Sequence, residues 1–505
     1  MYVTVFLITF IVTYFVHKIY SFRQKIKWAD NLPGRKDWFF YNLIFKVQGA
    51  SPTERARYAI EIVREYPRFC AYFLFPKVCL HVNHPELIKQ VLTNPDCIAK
   101  TSIYKLSGWG NGLGTAPPDR WRVSRKHINP ALGTKSLLTF IPIFDEASQN
   151  FVKKLKPNLG KEPFDLFKYS VLVTLDTICA TSFGVKVNAL EKNISFNEHL
   201  EKMHEIIFKR VMFLPLQKDW IFKWTKLYKE DKIAREECYR FGKELVEERK
   251  KILAKEREAL ENSNNNNEIE EAKKDKPVIF LDHLMFTPKS DGTFFPKDEV
   301  KDHINTMISA GNETTALAVS HATLFMAIHQ HVQDKLVEEL KSVFPTRPLD
   351  ITYEKIQKLT YLDMVIKETL RLCPSVANLA RRNMKEIVLD GHRIKPWTDI
   401  QISLIGTMRG PEWDPNPNDF DPDRFLPENV AKRHNYAWMA FSIGIRNCIG
   451  YKYAMMSLKI MLIHLMTNYK FTTKVKWDEI YPAIDLHGHI NVKHMVSIED
   501  RKLYD

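Results

Sequence analysis

Cys448 stands between two glycines and close behind an arginine in the run Phe441-Ser442-Ile443-Gly444-Ile445-Arg446-Asn447-Cys448-Ile449-Gly450, directly before an apolar helix-like stretch. A thiolate that binds haem iron needs a backbone able to turn tightly, amide N–H groups aimed at the sulfur, and a nearby cation to hold a propionate. Gly444, Gly450 and Arg446 are the residue types for those three tasks. The alternative for a cysteine taken alone is a small buried hydrophobe. Upstream, Ala310-Gly311-Asn312-Glu313-Thr314-Thr315 sets a carboxylic acid beside an alcohol, midway along an apolar helical pattern over residues 298–328. Gly and Thr are poor choices inside a helix, so their placement wants a local reason. Either the small pair leaves space while Thr314 donates a hydrogen bond and Glu313 relays protons, or the threonine bonds back to its own helix carbonyl.

Two further pairs follow helical spacing. Glu368 and Arg371 share one face of the pattern over residues 361–372, although such a pair on a solvated face contributes almost nothing. Trp121 and Arg125 are four apart in the basic segment 119–126. Its other cations, Arg120, Arg122 and Lys126, make either a plain solvated face or a docking surface for an acidic partner.

Taken together, these motifs resemble those of the cytochrome P450 monooxygenases. Residues 441–450 match F-x-x-G-x-R-x-C-x-G at every specified position, and residues 310–315 resemble A-G-x-[DE]-T-T. Glu368 and Arg371 resemble E-x-x-R, residues 420–425 resemble P-x-R-F, and Trp121 with Arg125 resembles W-x-x-x-R. The motifs occur in the family's order and span nearly the whole chain after its N-terminal stretch. The resemblance implies a mainly α fold with a small β region and a single large catalytic domain. It implies haem b with Cys448 as axial iron ligand, and Trp121, Arg125, Ala310, Gly311, Arg381, Phe441, Gly444, Arg446 and Gly450 around it. Arg125, Arg381 and Arg446 would meet the two propionates, Ala310 and Gly311 would leave room for dioxygen, and Thr314 and Glu313 would be catalytic. Glu368, Arg371 and Arg424 would form a buried network. The nearer resemblance is to the fatty-acid ω-hydroxylase clan and, more loosely, its insect members. Many of that clan carry, at the position of Ala310, a glutamate that links covalently to haem, so a non-covalent haem is expected here. Ala440 stands in place of a usual proline and Met408 in place of a frequent histidine; the first should soften the entry to the haem loop.

The implied reaction inserts one atom of O2 into a C–H bond of a lipophilic fatty acid, hormone-like lipid or foreign compound. Electrons would come from NADPH through a flavoprotein reductase, with cytochrome b5 as a further donor. The alternatives are a haem-thiolate isomerase or dehydratase of lipid hydroperoxides, which needs no reductase, and a haem-binding membrane protein without turnover. Glu313 and Thr314 argue against both.

Composition agrees with this reading. The 505 residues are 45% hydrophobic and 12% aromatic, ample for one large core, and the formal net charge of +14 calls for an anionic partner. No nucleic-acid motif accompanies the charge, so nucleic acid is not expected; anionic headgroups and an acidic reductase fit better. Residues 2–16 are uncharged and apolar, and His17, Lys18, Arg23, Lys25 and Lys27 follow. With no basic segment before the run and no small-x-small site after it, this reads as a retained signal anchor over residues 1–20. The expected location is the endoplasmic reticulum membrane, with the catalytic domain facing the cytosol. Residues 21–45 form a basic hinge and membrane-proximal segment, thin in proline at Asn31-Leu32-Pro33-Gly34, with Trp38 and Phe39 placed to enter the interface. Residues 46–505 are the catalytic domain.

The seven scattered cysteines include no C-x-x-C pair, which excludes a disulfide framework. Lacking closely spaced Cys or His pairs, they do not read as a zinc site. Sequons at Asn193 and Asn312 are read as chance matches. Residues 73–82 and 386–400 alternate like strands, 231–258 read as a charged helix, and the apolar pattern resumes over 278–286. The Asn-rich residues 256–276 read as a mobile, solvated loop. Residues 101–115, 303–314, 375–380 and 485–489 are expected to line a lipophilic pocket in which Asn305, Asn378 and His487 orient a polar end.

Overall fold

The structure is a computed structural model that describes residues 2–34, 49–74, 77–192, 194–261 and 278–501. It opens with helix α1, Tyr2–Ala29, whose side chains are exposed along most of its length. Its segment Thr4–Ala29 is long and apolar enough to cross a membrane, with a mean hydropathy of 1.6. The helix runs past residue 20 because nothing breaks it before Pro33, so the first part of the expected hinge is helical. The hinge is also anchored. Trp28 Nε1 donates to the Arg393 carbonyl at 2.9 Å, the Ala71 N–H donates to the Pro33 carbonyl at 2.7 Å, and Leu32 is buried among the sheet residues. Trp38 and Phe39 lie outside the described residues.

The elements that position the site follow in chain order. Helix α2, Pro52–Glu65, starts at a capping box in which Ser51 and Glu54 satisfy each other's backbone N–H groups. Strands β1, Phe69–Leu74, and β2, Lys77–Val82, pair antiparallel. Residues 73–82 therefore hold the end of one strand and the whole of the next, rather than one. Then come helices α3, Pro85–Thr93; α4, Pro118–Ile128; α5, Thr134–Leu155; α6, Phe167–Ile178; α7, Phe196–Met212; and α8, Lys226–Glu261. The last carries a ladder of acid–base pairs such as Lys250 with Glu247, and it continues through residues 256–261. The start of the expected mobile loop is thus helix, and residues 262–276 lie outside the described residues.

Helix α9, Lys297–Ile328, crosses the centre and is buried on nearly every side, as a core helix must be. Its buried polar groups are matched by neighbours. Thr174 on α6 donates to Asn312 Oδ1 at 2.8 Å, Asn312 Nδ2 donates to Asn197 at 2.6 Å, and Ser320 donates to Ser170 at 2.9 Å. The sequon asparagine is therefore a structural residue inside the core.

Helix α10, Thr360–Leu372, leads to strands β3, Asn378–Arg382; β4, Ile387–Leu389; β5, His392–Ile394; and β6, Asp399–Ser403. Residues 386–400 are therefore not one strand. They are a hairpin turning at Asp390 (φ 50°) and Gly391 (φ 80°), followed by the start of β6. The main sheet has the order β1-β2-β6-β3, with β6 parallel to β2 and antiparallel to β3. Helix α11, Tyr451–Asn468, and the hairpin of β7, Pro482–Ile484, with β8, Gly488–Ile490, complete the set. One large apolar core surrounds α9 and α11, and a second lies between the sheet and α3.

The expected network lies beneath the far end of the core. Arg371 and Glu368 are fully buried and paired in a fork, with Nε to Oε2 and Nη2 to Oε1 both at 2.7 Å. Arg371 also donates to the carbonyls of Met408, Pro417 and Asp419, and the Asp421 N–H donates to Glu368. Arg424 Nε stands 3.6 Å from Glu368, while its other nitrogens donate to the backbone at 413–416. Met408 serves through its carbonyl, which any residue supplies.

Glu368→Ala strands the Arg371 charge in the interior, at an expected cost of roughly 3–5 kcal/mol. Little haem-loaded protein should accumulate, and a normal yield would contradict the assigned network. The anchored hinge makes a second prediction. Deleting residues 1–22 should leave chemical denaturation of the domain unchanged. Deleting 1–34 removes buried Leu32 and should cost about 1.5–3 kcal/mol.

Candidate functional site

The Cys448 loop is shaped by contacts that its sequence explains. The Cys448 N–H donates to the Phe441 carbonyl at 2.9 Å, closing the loop on itself. Gly444 has φ +82°, and a Cβ there would lie 2.2 Å from the Leu92 carbonyl oxygen at the end of α3, which accepts from the Ile445 N–H. Only glycine meets both conditions. Gly450 is different: its φ is −86°, and it caps α11. Its N–H points at the Cys448 sulfur. Burial pushes the thiol pKa up, while this N–H and the Arg125 charge act in the opposite direction, as does the positive end of α11. Six cysteines are buried, and Cys448 alone keeps accessible surface, although the groups packed around its sulfur are dense enough to desolvate it. Phe441 packs edge-on against Tyr451 at 4.8 Å. At half-buried Ala440, where a proline was expected, the entry is held by a turn in which the Ser442 N–H donates to the Met439 carbonyl at 2.8 Å.

Beside the loop lies a group of cations. Arg446 is buried over the Trp121 ring, 5.1 Å from its centroid, and donates to the carbonyls of Ile98 and Ala116. Its Nε has no hydrogen-bond partner among the described residues. Arg381 is 2% exposed and donates only to the carbonyls of Ala380 and Arg446. Lys100 joins them: burial first, then Arg381 and Arg446, hold its ammonium well below the usual lysine range. Burial, followed by Arg381, brings the Arg446 guanidinium down to about 9. Among the described residues none of the three forms an ion pair with a carboxylate. Such a group is costly unless an anion completes it, and the two propionates of haem fit it. Arg125 does not belong there. Its Nη1 and Nη2 donate to the Asn447 carbonyl (2.9 Å) and Oδ1 (2.8 Å), which ties α4 to the cysteine loop.

On α9, Ala310 is exposed midway along the helix, where most of its neighbours are buried, and Thr314 follows one turn later. The Thr314 hydroxyl donates to the Ala310 carbonyl at 2.6 Å. That is the back-bonded arrangement, so the expected donation from Thr314 is corrected: its hydrogen is engaged, and its lone pairs are left to accept. The Thr314 carbonyl accepts from Ser375 at 2.8 Å. Gly311 faces α6, where an added Cβ would meet Ile178 Cδ1 at 2.6 Å. Its smallness serves helix packing, not dioxygen space.

Glu313 is buried and ringed by imidazoles. Its Oε2 lies 2.8 Å from His204 Nδ1 on α7; its Oε1 lies 3.2 Å from His487 Nδ1 and 3.5 Å from His489 Nε2. Burial pushes the Glu313 carboxyl up, but the nearby His487 and His204 outweigh burial and hold it well below the usual carboxylate range.

Four of the expected pocket residues are engaged elsewhere. Asn305 donates to the Lys301 carbonyl and packs its Oδ1 on Gly242 of α8, and His303 is buried against Phe295. Asn378 accepts from Gln401 at 3.3 Å within the β3–β6 pair, and His487 faces Glu313 rather than open space. Lys100, His204 and His489 escaped sequence reasoning. The first belongs to no motif. The histidines gave one signal, the close pair His487 and His489, but its partners come from distant elements.

The cytochrome P450 family model matches residues 32–484. The chain is 30% identical over 482 residues to cytochrome P450 4c21 of Blattella germanica, covering 94% of this chain and 95% of that one. It is 33% identical over 411 residues to human cytochrome P450 4V2, covering 80% and 77%. It is 32% identical over 403 residues to cytochrome P450 4c3 of Drosophila melanogaster, covering 78% and 74%.

The two loop glycines predict opposite outcomes. Gly444→Ala sets a methyl group against the Leu92 carbonyl at an unfavourable φ and should sharply reduce haem content. Gly450→Ala, whose Cβ would meet only Cys448 Sγ at 3.9 Å, should retain haem. Haem per chain, read by absorbance after purification, checks both.

Proposed function

The chain belongs to the cytochrome P450 family, and on that premise we propose that it is a membrane-anchored monooxygenase of the endoplasmic reticulum, with its catalytic domain on the cytosolic side. The proposed reaction inserts one oxygen atom into a C–H bond of a lipophilic substrate such as a fatty acid. Electrons come from NADPH through a flavoprotein reductase, with cytochrome b5 as a second donor. The observation that carries this reading is the coexistence of a cysteine thiol set at the start of α11 with an acid–alcohol pair on α9.

Haem, when bound, supplies the iron at which dioxygen is reduced and cleaved. The residues divide the remaining work. Cys448 would supply the thiolate that holds the iron, with the Gly450 N–H and Arg125 stabilising its negative charge. Arg381, Arg446 and Lys100 would hold the propionates, and Trp121 backs Arg446. Ala310 keeps its part of α9 open and offers no carboxylate for a covalent link. Thr314 presents its hydroxyl lone pairs to that opening, and Glu313 passes protons from the histidines behind it.

The surface supports the location. The C-terminal part of α1 carries Lys18, Arg23, Lys25 and Lys27 after the apolar run, and Trp220 and Trp224 are exposed beside Lys218, Lys223 and Lys226, a combination suited to anionic lipid headgroups. On α4, Lys126 is exposed and Arg122 is held only by exposed Asp119, leaving a basic face near Arg125 for an acidic donor protein.

Thr314→Val tests the reading because it removes the hydroxyl at almost constant size. Haem binding and the spectrum of the reduced, carbon-monoxide-bound protein should change little. Product formation with purified reductase should fall by ~100-fold, or about 2.7 kcal/mol in barrier, with NADPH diverted to hydrogen peroxide. Full coupling of NADPH to product would show the hydroxyl to be structural. Turnover without any reductase would favour the isomerase alternative instead.

A further inference from the structure

We propose that His204, Glu313 and His487 form a binding site for a divalent transition-metal ion of the zinc class. The three come from α7, α9 and the β7–β8 hairpin, and one ligand atom from each lies within 4.8 Å of the others. Two imidazoles and a carboxylate are a recognised zinc donor set. Glu313 turns a different oxygen to each imidazole, Oε2 at 2.8 Å from His204 Nδ1 and Oε1 at 3.2 Å from His487 Nδ1, so the carboxylate lies between the two rings at spacings near the roughly 3.3 Å that separates neighbouring donors bound at ~2.0 Å in a tetrahedral site. Small side-chain adjustments therefore suffice. Nitrogen donors disfavour magnesium and calcium, which take oxygen ligands.

The surroundings have the form of an outer ligand shell. His204 uses its other nitrogen, Nε2, toward Ser309 Oγ at 3.3 Å, which orients the ring. His487 Nδ1 lies close to Glu313 without forming an aligned hydrogen bond to it. His489 stands at the edge, outside the three ligands: its Nδ1 is 2.6 Å from Asp485 Oδ2, and its Nε2 faces Glu313. A carboxylate behind a histidine in this way fixes the tautomer and raises its basicity as a ligand. His489 and Asp485 are each about a third exposed, which gives an ion a way in from the hairpin.

Gly488 explains how both hairpin histidines reach one carboxylate. A Cβ there would lie 1.7 Å from the Pro374 carbonyl oxygen, and its N–H donates to the Ser375 carbonyl at 3.0 Å. The hairpin is thus pressed against the segment after α10, with His487 and His489 both near Glu313. His487 and His489, two residues apart, are a close histidine pair, contrary to the expectation that closely spaced Cys or His ligand pairs are missing.

The functional consequence rests on the role proposed for Glu313. A metal ion bound to that carboxylate removes it from proton delivery, so zinc acts as a reversible inhibitor whose effect a chelator undoes.

The test uses the full-length, haem-loaded protein in detergent, dialysed to equilibrium against zinc chloride with metal analysis, and it reads binding independently of turnover. One tightly held zinc per chain is expected, unaffected by excess magnesium. His204→Gln and His487→Gln should each weaken it at least tenfold, with the reduced carbon-monoxide spectrum confirming that both variants carry haem. Absence of tight zinc in the unaltered protein, or unchanged affinity in both haem-loaded variants, overturns the site. In parallel, zinc should depress NADPH-supported product formation in the unaltered protein. Binding as expected with no loss of turnover would uphold the metal site and overturn the role of Glu313 in proton delivery.

Discussion

Lys100, Arg381 and Arg446 crowd together in the interior with no carboxylate from the described residues to meet them. Isolated buried cations are costly; Arg381 and Arg446 are buried, and half-buried Lys100 adds its charge to theirs. The rest of the structure is arranged around that deficit. Strand β3 delivers Arg381, the loop before α11 delivers Arg446, and Trp121 of α4 closes over the latter. The fold carries a charge imbalance that an anionic group would complete, and binding one would stabilise it. The Glu368–Arg371 pair is the opposite case, self-contained and buried, with every bond internal to the chain.

The same contrast runs along α9. Its length and burial leave little freedom, so each departure from good helix formers answers to a neighbour. Gly311 answers to Ile178, Asn312 to Thr174 and Asn197, and Thr314 to its own Ala310 carbonyl. What remains chemically available is narrow: an opening at Ala310, two lone pairs on Thr314, and a carboxylate turned toward imidazoles.

The parts of the site that the sequence made legible are those whose geometry is local. In the cysteine loop and the Glu368–Arg371 pair, spacing of a few residues dictates contact, and turn or helix periodicity converts it directly into position. Helices over residues 298–328 and 361–372 were readable for the same reason, because a core helix repeats its pattern for many turns. Strand boundaries were not, since short apolar runs look alike until a turn such as Asp390-Gly391 is weighed. Lys100 was invisible because a single lysine before a short 3₁₀ turn has no pattern. Arg125 was misplaced because its partner, Asn447, sits at an unspecified position of the loop. The imidazoles around Glu313 were hidden by distance in the chain: α7, α9 and the last hairpin meet only after the whole domain has closed.

That late convergence sets the character of the acid. Burial alone would favour a neutral Glu313, and a nearby arginine would be the usual remedy. Arginine, however, stays protonated at any physiological pH, so such a pair would be a fixed ornament of the core. Imidazole partners lower the carboxyl pKa while remaining able to take and return protons near neutrality. His204 is itself held down by burial, with Glu313 opposing that effect, whereas His489 is pushed up, Asp485 and Glu313 outweighing its burial. The two rings thus differ in basicity on either side of one carboxylate, with the more basic one nearer to solvent. The more basic ring stands on the hairpin side of the carboxylate and the less basic one on the α7 side. The electrostatic gradient across Glu313 is a property of three separate chain segments packed together, not of the α9 motif that carries it.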